Sequence, residues 1–144
     1  MAGISVKLPL SFDESDGAYL LNKELKDVVK QNLKMLLLTI PGERVMLPDF
    51  GVGIPKFLFE PNNLETQRQI SKRIDQQVDK YMPFVSIRDV YVGPLDDDIH
   101  SIHHNSLHIT IKYLVPHMAE QDILSIAIPN ERDVSAGETF SGGY

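Results

Sequence analysis

The sequence predicts an α+β fold in which two main helices pack on a small antiparallel β-sheet, giving two layers. Two segments with apolar residues at i, i+3, i+4 spacing precede Pro83, and after it the period falls to two. The strand-patterned segments that follow are joined by connectors short enough for an antiparallel meander. With 144 residues and 42% hydrophobic content, the chain suits one domain with a modest core. The expected organisation is an N-terminal arm over residues 1–21, an α+β domain over 22–129 and a flexible C-terminal tail over 130–144.

Ile4, Val6, Leu8 and Leu10 alternate, which reads as a short strand or extended arm, and Pro9 confines it to an edge or a docked position. Phe12-Asp13-Glu14-Ser15-Asp16-Gly17 closes the arm with a polar turn. From Lys23 to Thr39 the period is helical. Leu25, Val28, Val29, Leu33, Leu36, Leu37 and Ile40 share one face, Asn22 is the expected N-cap and Pro41-Gly42 ends the helix. Val52 to Phe59 reads as a bend with a brief helical turn that buries Phe57 or Leu58. Pro61-Asn62-Asn63 introduces the second helix, Leu64 to Tyr81. Its apolar line is Ile70, Ile74, Val78, Tyr81 and Met82, and Gln67, Arg68, Lys72, Arg73, Asp75, Gln76 and Asp79 face solvent or a polar partner.

Val85 to Val92 is strand-patterned with a slip of apolar phase at Arg88-Asp89, the mark of a bulge. Leu107, Ile109, Ile111 and Tyr113 alternate with His108, Thr110 and Lys112, giving a second strand with one buried face. Ile123 to Pro129 is the third. Gly, Ser and charged residues dominate from 130 onward, as in a terminal tail.

Between the helices lies Gly42-Glu43-Arg44-Val45-Met46-Leu47-Pro48-Asp49-Phe50-Gly51. A surface linker has no need of Val45, Met46, Leu47 and Phe50, and a core strand does not tolerate Pro48. The reading is an ordered connector, packed down by those apolar side chains and pinned by Glu43 and Arg44, whose charged groups satisfy loop amides and carbonyls.

Thr39-Ile40-Pro41-Gly42-Glu43-Arg44-Val45-Met46, then Pro48-Asp49-Phe50-Gly51 and Leu58-Phe59-Glu60-Pro61, resembles the lysozyme-like baseplate wedge family of contractile phage tails and type VI secretion baseplates. The resemblance covers roughly residues 9 to 129. It implies a structural subunit that joins wedge, tube and sheath and templates sheath assembly. The implied partners are other baseplate wedge subunits, the tail sheath protein, and tail tube or hub proteins. The implied location is the tail baseplate of a virion, after assembly in the host cytoplasm. Glu43, Arg44, Pro48 and Phe50 then belong to a corner that helps hold the subunit in the wedge.

The family often carries an aromatic residue and then Glu-Pro-Arg at the second helix-to-strand junction, a charged pair associated with docking on the wedge's helical core. Here only Pro83 matches, between Met82 and Phe84. Those two side chains either make an apolar version of that contact or close the domain's own core. The third strand, with Ile123, Leu124, Ile126 and Ile128, would accept a neighbour's strand if it lies at a sheet edge. The resemblance implies this use in seeding the sheath. A covered edge, shielded by the arm or the tail, is the alternative.

There are no cysteines, hence no disulfides and no thiolate metal sites. The longest apolar run is Met35 to Leu38, too short to span a membrane, and the first residues lack the pattern of a signal peptide. A formal charge of -6 argues against nonspecific nucleic-acid binding. Glu43, Asp49 and Glu60 invite a glycosidase reading. That chemistry needs carboxyls about 5–5.5 Å or about 6.5–9.5 Å apart across a sugar-sized cleft, and no Trp offers a stacking platform. Asp96, Asp97, Asp98, His100, His103 and His104 share a loop whose spacing matches no closed metal site. The expectation is a non-enzymatic protein with no catalytic residues, cofactor or metal, and with neither nucleic acid nor membrane as partner. A peptidoglycan-cleaving, lysozyme-like enzyme and a free-standing adaptor are the alternatives.

Overall fold

A computed structural model describes residues 3–12, 17–61, 63–93, 107–116 and 120–128. The chain runs β1 (Ser5–Val6), β2 (Leu21–Asn22), α1 (Leu25–Leu38), α2 (Ile54–Phe57), α3 (Leu64–Tyr81), β3 (Ser86–Val92), β4 (Leu107–Val115) and β5 (Glu120–Ile128). β1 and β2 form a small antiparallel pair, and β3-β4-β5 form the main antiparallel sheet with β4 at its centre. α1 and α3 cover one face of that sheet, α3 lying on β3 and α1 reaching β5. The architecture is the α+β arrangement expected from the periodicities.

The core lies where these faces meet. Leu33, Leu36 and Leu37 come from α1, Ile70, Ile74 and Val78 from α3, and Ile109, Ile111 and Tyr113 from β4. Burying each aliphatic side chain contributes about 1.5–3 kcal/mol before ordering entropy is subtracted. Val52 and Ile54, on either side of Gly53, add the corner to the same core. The brief helix thus buries Ile54 completely, while Phe57 and Leu58 are only half-buried. Leu25, expected in the core, is half exposed because α1 meets the core only from Val29 onward.

α3 begins as its sequence indicates. The Asn63 side chain accepts a hydrogen bond from the Thr66 amide at 2.8 Å and caps the helix. α1 does not. Its N-cap is Glu24, which makes no side-chain cap, and Asn22 is instead buried in β2. There its side-chain amide donates to Ser5 Oγ at 3.1 Å and to Gln31 Oε1 at 3.0 Å. Asn22 was a sound cap candidate by residue type, but pairing with the arm gives its amide better partners.

The sheet follows the expected alternation. Ile109, Ile111 and Tyr113 face inward, and β3 and β4 pair in a register that shifts between Ile87 and Asp89. Arg88 is therefore the bulged residue, where the apolar phase slips. β4 and β5 pair without interruption from Leu107–Ile128 to Val115–Glu120.

Candidate functional site

The corner between α1 and α2 is a run of successive turns. Ile40 to Glu43 closes first, with Glu43 N donating to Ile40 O at 3.1 Å and Pro41-Gly42 in the central positions. Gly42 has φ +98°, the left-handed backbone that this Pro-Gly turn requires. The Glu43 carboxylate accepts the Ile40 amide at 2.9 Å, so the pair is bonded in both directions. Arg44 to Leu47 forms the next turn and Leu47 to Phe50 a third, at 3.2 Å and 3.1 Å. Gly42 N donates to Pro48 O at 2.8 Å and draws the loop's base together.

Side chains from α3 complete the corner. Gln77, only 9% exposed, accepts the Gly51 amide at 2.9 Å and donates to the Asp49 carbonyl at 3.1 Å. Arg73 Nε donates to Val52 O at 3.1 Å. The Arg44 guanidinium lies 3.9 Å from the centre of the Phe50 ring, and that ring meets Tyr81 edge-on at 4.9 Å. Gly51 passes so close to Thr39 that a Cβ would collide with its carbonyl oxygen. Glu43 satisfies a loop amide as expected from its type, whereas the Arg44 guanidinium lies on the Phe50 ring instead of a loop carbonyl.

The apolar part of that expectation is corrected. Val45 is 91% and Met46 90% exposed, and Leu47 is exposed as well. Of the apolar side chains credited with packing the connector down, Phe50 alone does so. Val45 and Met46 occupy the apex of a turn whose hydrogen bonds all run along its base, so nothing draws their side chains inward. Arg73 finds the polar partner its position allows, the Val52 carbonyl, and Gln77, which residue order does not single out, is the second clamp. Gln77 lies three residues beyond Ile74 on the buried stripe, and a polar residue on an apolar line was the available signal.

At the junction after α3, Met82 is buried in the core and cannot serve as a partner contact. Its amide closes α3 on Val78 O at 2.7 Å, which turns its side chain inward. Pro83 and Phe84 remain exposed. In β5, Leu124 and Ile126 face the core, so their side chains belong to the fold, while Ile123 is half exposed on the opposite face. Ile128 lies in the same strand. Among the described residues no strand pairs with the outer side of β5.

One polar network ties β5 to the helices. Tyr113 OH donates to Asp122 Oδ2 at 3.1 Å, and Lys30 Nζ sits 3.6 Å from the same oxygen. Burial pushes the Asp122 carboxyl up, but the Ile123 amide, the Tyr113 hydroxyl, Lys30 and Lys26 together hold it below its ordinary value. Burial also pushes the Tyr113 phenol up, and the neighbouring Asp122 and Asp27 charges push it further.

The carboxylates of Glu43, Asp49 and Glu60 have separate surroundings among the described residues. Glu43 is used by the Ile40 amide, Asp49 faces Lys80 at 3.9 Å, and Glu60 is exposed beyond α2. The surface depression on the sheet is lined by Arg88, Lys112, Tyr113, Asp122 and Ile123, none of them among these three. The Asp96–Asp98 and His100, His103, His104 loop lies outside the described residues, and among the described residues no cluster has the makings of a metal site. No described helix is long and apolar enough to cross a membrane.

Two helices layered on a three-stranded meander, with a clamped interhelical corner and, among the described residues, no strand on the outer side of β5, define a two-layer α+β module. The family model for baseplate wedge protein gp25 matches residues 23–120, and the chain belongs to this family. Among solved structures, a chain of the anti-feeding prophage baseplate is similar at 26% identity and a TM-score of 0.61, over 76% of this chain and 82% of that one. A candidate tail lysozyme of Geobacter sulfurreducens shares the fold at 24% identity and a TM-score of 0.63, over 76% of this chain and 95% of that one. A chain of the type VI secretion system baseplate does so at 19% identity and a TM-score of 0.50, over 71% and 90%. No curated protein sequence matches. Family and fold together give this chain a structural role in the baseplate of a contractile tail or a related injection system.

Proposed function

We propose that this chain joins wedge, tube and sheath in the baseplate and templates sheath assembly by accepting a neighbour's strand along β5. The observation that carries this is the contrast between the two margins of the main sheet. β3 is guarded by the Arg88 bulge and flanked by charged Arg88 and Asp89, the usual defence of an edge against pairing. β5 is longer, has no register shift and pairs with nothing on its outer side among the described residues. Such an edge supplies backbone hydrogen bonds, while outward side chains such as Ile123 choose the partner.

In this reading residues 22–129 are the docking body and the clamped corner, with Glu43, Arg44, Pro48 and Phe50, is a second attachment point toward other wedge subunits. Pro83 and Phe84 border a third contact. The protein works without turnover, is made in the host cytoplasm and ends in the particle. Electron cryo-microscopy of the assembled particle tests it. The expected image shows β5 continued by a strand of another protein at the sheath-facing side. A particle that contains the chain with β5 open to solvent would overturn strand templating and leave the baseplate role in place.

A further inference from the structure

We infer that the turn apex Val45-Met46 is a preformed apolar plug that seats in a concave apolar pocket of another baseplate subunit, with Glu43, Arg44 and Phe50 holding the plug rather than making the contact. The inference rests on the proposed baseplate reading and assigns the contacting side chains at the corner. It starts from an unusual pairing of exposure and order. Val45 and Met46 are almost fully in solvent, and Leu47 beside them is half exposed.

The backbone beneath them is fixed from every side. Gly42 N to Pro48 O closes the base at 2.8 Å, Leu47 N to Arg44 O closes the turn at 3.2 Å, and Gln77 holds the exit at Asp49 and Gly51. Arg44 is laid on Phe50, which is itself braced by Tyr81. The fold gains nothing from apolar side chains at this apex. A binding surface gains a great deal, because the ordering cost of the loop is already met before the partner arrives.

The occupant follows from size and charge. Two side chains and part of a third fall far short of the ~800 Å² per partner that a stable symmetric dimer buries, so a second copy meeting apex to apex is excluded. A small convex apolar tip matches a pocket, which surrounds it on all sides and removes most of its surface from water. The charged residues of the corner balance in number. Glu43 and Asp49 offset Arg44 and Lys80, Arg44 is engaged with Phe50, and Lys80 sits 3.9 Å from Asp49. Anionic lipid needs a basic rim around the inserting side chains, and this one is neutral. A protein pocket with an apolar floor is the remaining match.

The test uses the full chain in assembled baseplates. The double variant V45S/M46S should keep the wild-type melting temperature, since neither side chain is buried. Its incorporation into baseplates should fall at least about ten-fold, which corresponds to ~1.4 kcal/mol. Phe59→Ser removes an equally exposed apolar side chain beyond α2 and should incorporate at the wild-type level. A photoreactive amino acid at position 46 should crosslink to an apolar segment of a different baseplate protein. Wild-type incorporation of V45S/M46S, an equal loss with F59S, or crosslinks confined to lipid or to a second copy would each overturn the plug while the baseplate reading stands. Absence of the wild-type chain from purified baseplates would instead defeat that reading, and the plug with it.

Discussion

The corner and the N-terminal arm are held by the same device in different surroundings. In each, a helix glutamine offers its side-chain amide to a passing segment of backbone, accepting the N–H of one residue and donating to the C=O two residues earlier. Gln77 of α3 does this for Gly51 and Asp49, and Gln31 of α1 does it for Leu8 and Val6 at 2.9 Å and 3.0 Å. The amide supplies one donor and one acceptor to backbone groups that have no partner in a helix or strand. Gln77 is buried, whereas the Gln31 bonds to the arm are exposed. Losing the first strands a backbone donor away from water, and losing the second lets water take its place. Equal geometry thus gives the two segments unequal anchorage, firm at the corner and light at the arm.

The largest expected effect that could break this contrast is at Gly51. With φ +112° and Thr39 O in the path of a Cβ, Gly51→Ala should destabilise by roughly 3 kcal/mol in denaturant unfolding. Gly42→Ala, also left-handed but with open space around it, should lose only about 1 kcal/mol. If the two losses are equal, the corner is not packed as tightly as its clamps imply.

Next is Gln77→Ala, expected to lose about 2–3 kcal/mol by leaving the Gly51 amide and Asp49 carbonyl unpaired. Tyr113→Phe provides an intermediate yardstick, about 1.5 kcal/mol at neutral pH, because its hydroxyl serves a partly buried carboxylate. This difference should depend on pH. Asp122 has a folded value below its ordinary 3.8, so its contribution is present above that value and is lost as pH falls through the lower folded one. Acid unfolding curves of wild type and Y113F should therefore converge as pH falls through the lowered folded value of Asp122.

Gln31→Ala should lose about 1 kcal/mol, part of it from the Asn22 amide that also donates to Gln31, and speed hydrogen exchange at the Leu8 amide, with no change at Gly51. A loss as large as that of Gln77→Ala would erase the distinction between the two clamps. Smallest of all, V45S/M46S should shift the isolated protein by less than about 0.5 kcal/mol.

Much of this molecule could be read from residue order because its signals are local and periodic. The span of α3 behind Pro61-Asn62-Asn63, the inward face of β4 and the bulge at Arg88 each follow from a pattern that one element sets by itself. The family resemblance at the corner was legible for a similar reason, as a short run of unusual residues. Tertiary structure decided what depends on distant partners. Asn22 left its cap for Ser5 and Gln31, Gln77 turned inward to reach a loop 26 residues away, and Met82 went to the core while Phe84 did not. Apolar character announces that Val45, Met46 and Phe50 avoid water, but a side chain is buried only if the backbone beneath it faces a wall. At the corner, turn hydrogen bonds and the α3 clamps set that direction, sending Phe50 in and the apex out.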